Sequence, residues 1–238
     1  MVMGRFLAVI LILALATGLF IAGLKQQWWP VPRHWNPFMA LHLEDPVTPV
    51  TRWKLRRLGD DPQACLAALR TAPEGTLDYL PLEDYTPVES CPLTNVVRVR
   101  ATGVDFNNRF VARCPLVAAW VLYERNQLQP LARAHFGQPV AEVWHYGTFA
   151  CRNIYHRKDD RRSDHATASA LDVAALSLRD GTRISVQRHW DDNGEKGAFL
   201  HDAFDGACRF FGTSLGPDYN AAHGDHFHFG LRGFGICR

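Results

Sequence analysis

Hydrophobic and polar positions divide the chain into three stretches of different pattern. Between Arg5 and Lys25 lie nineteen uncharged, predominantly apolar residues, Phe6 to Leu24. A bilayer-spanning helix needs about 20 such residues, and the core of a cleaved signal needs roughly 7 to 15. Residues 1–25 are therefore read as one transmembrane signal anchor, with Trp28 and Trp29 at the membrane interface. The competing reading is a signal peptide cut after Ala14-Leu15-Ala16. Residues 26–59 show no sustained period and carry Pro30, Pro32, Pro37, Pro46 and Pro49, which predicts an extended spacer.

Residues 60–238 have the periodicity of one folded domain. Asp61-Pro62 opens a helix running to about Ala72, with Gly75 just past its end. Leu116, Trp120 and Tyr123 recur at helical spacing from Pro115, and the pattern continues, kinked at Pro130, to Gly137. Val140 to Trp144, Leu171 to Leu176 and Ile184 to Val186 read as strands. Phe199, Ala203, Ala207 and Phe210 mark a further helix before Gly212, and His226 to Phe229 a last short strand. Helices segregated from short strands predict an α+β domain with a small antiparallel sheet.

A formal net charge of +2 gives no electrostatic case for nucleic acid, and the basic runs Arg52–Arg57 and Arg157–Arg162 read as solvated loops. Cys65, Cys91, Cys114, Cys151, Cys208 and Cys237 are even in number, widely spaced and contain no CxxC pair. That usage fits disulfides in an oxidising compartment better than a cytosolic zinc site, and Cys237 reads as a staple for the C-terminal tail. Which cysteine joins which is left open by spacing.

The candidate chemistry lies in two clusters. On a strand, His226 and His228 share one face while Phe227 and Phe229 point to the other. His165 and Asp172 are an odd number apart, so they can meet only if a loop over Ala166–Ser169 enters a strand at Ala170; the small residues there allow it. Two histidines and a carboxylate, with one position left for water, are what a catalytic zinc takes. Asp191-Asp192-Asn193-Gly194-Glu195 does not have EF-hand spacing and reads as a turn.

Cys151-Arg152, Ser163-x-His165-Ala166, Ala170-Leu171-Asp172-Val173-Ala174, Ala207-Cys208, Gly216-Pro217-Asp218-Tyr219-Asn220, His223, Asp225-His226-Phe227-His228 and Cys237-Arg238 resemble the bacterial extensin-like C-terminal domain family. Within them, Ser163-x-His165-x4-Ala170-Leu171-Asp172 followed by His226-x-His228 is also similar to the zinc D-Ala-D-Ala peptidase clan, which includes murein endopeptidases and the hedgehog domain. The resemblance implies a hedgehog/D-Ala-D-Ala peptidase-like fold. It implies zinc ligands at His165, Asp172 and His228, and Asp225 where clan peptidases carry a catalytic Glu. It places His226 beside the metal as an oxyanion partner, Arg152 and Ser163 on the substrate side, and His223 behind the ligands. Asp225 departs from the pattern, because Asp reaches less far than Glu. The implied function is a zinc-dependent peptidase acting on peptidoglycan stem peptides, of D-alanyl carboxypeptidase or endopeptidase type. It would be tethered to the inner membrane with its domain in the periplasm. The alternative is a non-catalytic, zinc-containing module that binds or supports the cell wall.

Overall fold

The computed structural model describes residues 2–233 and 235–238. Its helices are α1 (Val2–Lys25), α2 (Pro49–Arg57), α3 (Pro62–Leu69), α4 (Cys114–Tyr123), α5 (Gln129–Phe136), α6 (Val186–His189) and α7 (Glu195–Ala207). Its strands are β1 (Asp78–Pro81), β2 (Tyr85–Val88), β3 (Cys91–Leu93), β4 (Val96–Ala101), β5 (Asp105–Arg113), β6 (Val140–Gly147), β7 (Ala170–Leu178), β8 (Arg183–Ser185), β9 (Thr213–Leu215), β10 (Phe227–Gly230) and β11 (Ile236–Cys237). The main sheet runs β1-β4-β5-β6-β7-β10-β9-β11, with β8 also on β7, and β2 pairs β3 separately.

The α+β class holds, and the expected small antiparallel sheet is corrected. Among the described residues the main sheet has nine strands and is mixed, since β5–β6 and β9–β11 pair in parallel. Part of the excess was legible: in β4, Val97 and Val99 are buried and Arg98 and Arg100 exposed, the alternation of a half-buried strand. The rest was not. Strand β5 carries Asn107, Asn108 and Arg109 and is held by the neighbours on either side, while β9 and β11 are too short to show a period.

Pleating gives β7 and β10 two different faces. Leu171, Val173, Phe227 and Phe229 are each 2% exposed or less and pack under α4, α5 and α7. Phe229 stacks on Phe211 with ring centroids 4.8 Å apart, and the buried Tyr123 hydroxyl donates to Ala203 O at 3.0 Å. Burying one such side chain contributes about 1.5–3 kcal/mol. The opposite face of the same strands presents Asp172 and His228, half-buried.

Helical structure is continuous from Cys114 to Phe136, as the apolar period predicts, but α4 and α5 are joined by a π-helical turn at Glu124–Leu128. Pro130 lacks an N–H and crowds the carbonyl four residues back, and the widened turn ahead of it accommodates this. Gly137 ends α5 with φ 68°, a left-handed conformation that glycine adopts without strain.

Residues 26–59 differ from the extended spacer expected. Leu41, Leu43, Leu55 and Leu58 join the core, and Arg33 holds Asp45 through bonds of 2.6 and 2.8 Å. Prolines suppress periodicity without preventing packing. Arg52–Arg57 is likewise helical rather than loop: Lys54 is 4% exposed and its Nζ donates to Arg33 O at 2.7 Å. Helix α1 is exposed along most of its length and is long and apolar enough to cross a membrane. All six cysteines are paired: Cys65–Cys114 joins α3 to α4, Cys91–Cys151 joins β3 to the segment after β6, and Cys208–Cys237 ties the tail to the end of α7.

Candidate metal centre

Register places the first two ligand candidates. His228 on β10 lies directly across from Asp172 on β7, a pairing that sets Cβ atoms about 4.5–5.5 Å apart on a shared face. His165 arrives from a different direction, on a short 3-10 turn at Asp164–Thr167 that ends at Ala168 with φ 51° before β7 begins. Ser163 caps this turn, its Oγ accepting from His165 N at 3.3 Å. The anticipated loop through small residues is present, and Ala166 and Ala168 are buried against the sheet.

These three side chains converge. His165 Nε2 lies 3.1 Å from Asp172 Oδ2 and 3.2 Å from His228 Nδ1, and His228 Nδ1 lies 3.0 Å from Asp172 Oδ1. Their ligand atoms form a cluster able to hold a metal ion. His165 Nδ1 donates to Thr148 O at 3.1 Å; a carbonyl can only accept, so Nδ1 carries a proton and Nε2 faces the cluster. Burial alone would push the Asp172 pKa up, but hydrogen bonds from His165 and His228 outweigh it and hold the carboxylate well below its ordinary range. Burial also lowers the His165 pKa, and the Asp172 partner more than reverses this.

The remaining predicted residues fall around the cluster. His226, just before β10, has Nε2 3.7 Å from Asp172 Oδ1, and its Nδ1 donates to Asp225 Oδ1 at 2.7 Å. Asp225 Oδ2 accepts from the Tyr146 hydroxyl at 3.1 Å. His223 is held by Asn220 Oδ1 at 2.8 Å, with its ring centroid 5.3 Å from that of His226. Burial, then the His228 and His226 charges, depress the His223 pKa to about 4, so it is neutral at physiological pH. Arg152 is near enough for its charge to act on His165, and among the described residues it pairs with no carboxylate. Ser163 is only 6% exposed, and the contact it makes is the cap.

Sequence reasoning missed three supports. Tyr146 orients Asp225, Thr148 orients His165, and Asp164, held by Arg232 Nε at 2.8 Å, borders His228 across Gly230. Tyr146 and Thr148 follow the predicted strand, but no local pattern marks them as site residues. A Cβ on Gly230 would lie 2.7 Å from Asp164 Oδ2 and 3.2 Å from His228 Nε2. Gly230→Ala is therefore expected to push His228 out of line and weaken metal binding about 10–100-fold. Metal titration, with circular dichroism to confirm folding, checks this; unchanged affinity contradicts it.

Fold and cluster together define an α+β domain that carries a His/Asp cluster on the side of β7 and β10 opposite Leu171, Val173, Phe227 and Phe229. The chain belongs to the family described as extensin-like protein C-terminus, whose model matches residues 63–238. No curated protein and no solved structure matches it.

Proposed function

We propose that the chain is a zinc-dependent peptidoglycan peptidase of D-alanyl carboxypeptidase or endopeptidase type, tethered in the bacterial cell envelope. The observation that carries this is the convergence of His165 Nε2 and His228 Nδ1, 3.2 Å apart, on the Asp172 carboxylate, whose Oδ2 and Oδ1 lie 3.1 and 3.0 Å from them respectively. Zinc bonds to imidazole are about 2.0–2.1 Å, which gives a tetrahedron edges of about 3.3–3.4 Å, close to the 3.2 Å between the two ring nitrogens, and an Asp172 oxygen lies within 4.8 Å of both. Motif order supports kinship with the D-Ala-D-Ala peptidase clan and its hedgehog-like architecture. The apolar α1 and three disulfides support a single-pass inner-membrane protein with its domain in the periplasm, where stem peptides are the substrate at hand.

Zinc bound there supplies a Lewis acid and lowers the pKa of a coordinated water toward ~7. Asp225 acts through His226: by accepting a hydrogen bond from Nδ1–H it keeps that proton on Nδ1 and leaves Nε2, on the Asp172 side, free to take a proton from the attacking water. Once protonated, that Nε2–H can donate to the developing oxyanion. The base is thus the Asp225–His226 pair rather than Asp225 alone, which removes the difficulty of the shorter side chain. Arg152, whose guanidinium pairs with no carboxylate among the described residues, suits a peptide carboxylate through paired hydrogen bonds.

One observation favours the second reading, a zinc-containing wall-binding or structural module without turnover. Both Asp225 oxygens are already engaged, by His226 and by Tyr146. The experiment is to purify the full chain in detergent, measure its zinc, and digest defined muropeptides with wild type, Asp225→Ala and His226→Gln. The peptidase reading expects one zinc per chain, cleavage by wild type, and severe loss in both variants. Stoichiometric zinc without cleavage leaves the module, and a folded chain that takes up no zinc removes both.

A further inference from the structure

A second polar site lies at the far end of the β6–β7 pair from the metal centre. Six strand positions separate Asp172 from Leu178, which faces Val140, or roughly 20 Å at ~3.3 Å per residue. A cavity of about 480 Å³ opens there, lined by Thr102, Gly103, Glu124, Arg125, Arg133 and Arg179 among others.

Glu124 is its deepest charged group, only 5% exposed. The Oε2 atom accepts from the Thr102 hydroxyl and from Trp120 Nε1 at 3.0 Å, which fixes the carboxyl. No protein group among the described residues donates to Oε1. Oε1 is thus left to the cavity side, where water or a ligand can meet it. Any Cβ on Gly103 would collide with Oε1, and the Gly103 backbone is not left-handed, so glycine at this position leaves room for the carboxyl at the cavity wall. Glu124 also begins the π-helical turn, an irregularity frequent at functional sites.

Three arginines line the same cavity, and none of them neutralises this carboxyl. Arg125, Arg133 and Arg179 are exposed, and none forms an ion pair with Glu124 or with Asp105, the other acid of the lining, among the described residues. Arg125 is steadied by an Nη1 bond to Leu43 O at 2.8 Å. A carboxyl in the wall and unpaired guanidinium groups around it require two complementary ends in one ligand. We infer that this cavity binds a small zwitterion, a free amino acid or a dipeptide with both ends free, its ammonium on Glu124 Oε1 and its carboxylate on the arginines. An ammonium offers donors to an acceptor that has none, and a carboxylate matches the guanidinium fork. The volume is within the range of small-molecule pockets. Burial lifts the Glu124 pKa to about 7, and an arriving ammonium would draw it to the ionised form. The inference is independent of the peptidase reading.

The test is calorimetric titration of the full chain in detergent with alanyl-alanine, alanine, N-acetyl-alanine and alaninamide. Alanyl-alanine or alanine is expected to bind, with a loss of about tenfold or more when either end is blocked. The same loss is expected in Glu124→Gln, which keeps the side-chain volume, and in Gly103→Ala, while Asp172→Asn at the metal centre leaves binding unchanged. Absence of binding by both free-ended probes, equal binding of the blocked ones, or binding indifferent to Glu124→Gln overturns the inference.

Discussion

Asp172→Asn is expected to abolish stoichiometric metal binding while leaving the fold intact. The substitution keeps shape but removes the charge that His165 and His228 both contact, at 3.1 and 3.0 Å. Changes behind a metal's ligands already cost about 10–100-fold in affinity, and loss of the one anionic ligand should exceed the upper end of that range. Folding should survive, because the core side of β7 is built from Leu171 and Val173 and does not involve Asp172. The measurement is metal per chain after dialysis, with far-ultraviolet circular dichroism on the same samples. A variant that retains one equivalent of zinc would rule out the triad as the centre.

Stability in Glu124→Gln is expected to diverge from wild type as pH rises. Burial lifts the Glu124 pKa from its ordinary 4.5 to about 7, against the smaller opposing pull of hydrogen bonds from Thr102 and Trp120. Between those two values the folded chain binds more protons than the unfolded one, so this group makes folding weaker with every step up in pH. The penalty is absent below pH ~4.5 and complete above ~7, where it amounts to roughly 3 kcal/mol. Glutamine cannot ionise and retains a carbonyl acceptor for Thr102 and Trp120. Denaturant unfolding of both proteins at pH 4.5 and pH 8 should show the variant gaining on wild type by about 3 kcal/mol at the higher pH. A difference that does not change with pH would contradict the assignment.

The candidate ligands His165, Asp172 and His228 follow from the motif resemblance, and two local patterns are compatible with their meeting. Alternation put His226 and His228 on one face, and the run of small residues before β7 allowed His165 to fold back toward Asp172. The helices were legible for a similar reason: α7 carries its buried Phe199 and Ala203 at helical spacing, and that period reports burial directly. The stretch from residue 26 to 59 was misread because proline-rich chain shows no period even when its leucines are buried. Tyr146 and Thr148 escaped notice because each acts through one bond to a residue far along the chain.

By itself, the sequence determined the apolar N-terminal helix, the α+β class, the even set of cysteines and the residue types of the centre. These follow from local spacing and composition, which act over a few residues. Only the tertiary structure decided the size and mixed pairing of the sheet, the three disulfide partnerships, the turn of Asp225 toward His226, and the cavity around Glu124. Each depends on which distant segments lie side by side. That choice is made by burying the apolar side chains of the central strands β7 and β10 in one core with those of α4, α5 and α7. The register that buries Phe227 and Phe229 on one side is the same register that sets His228 opposite Asp172 on the other.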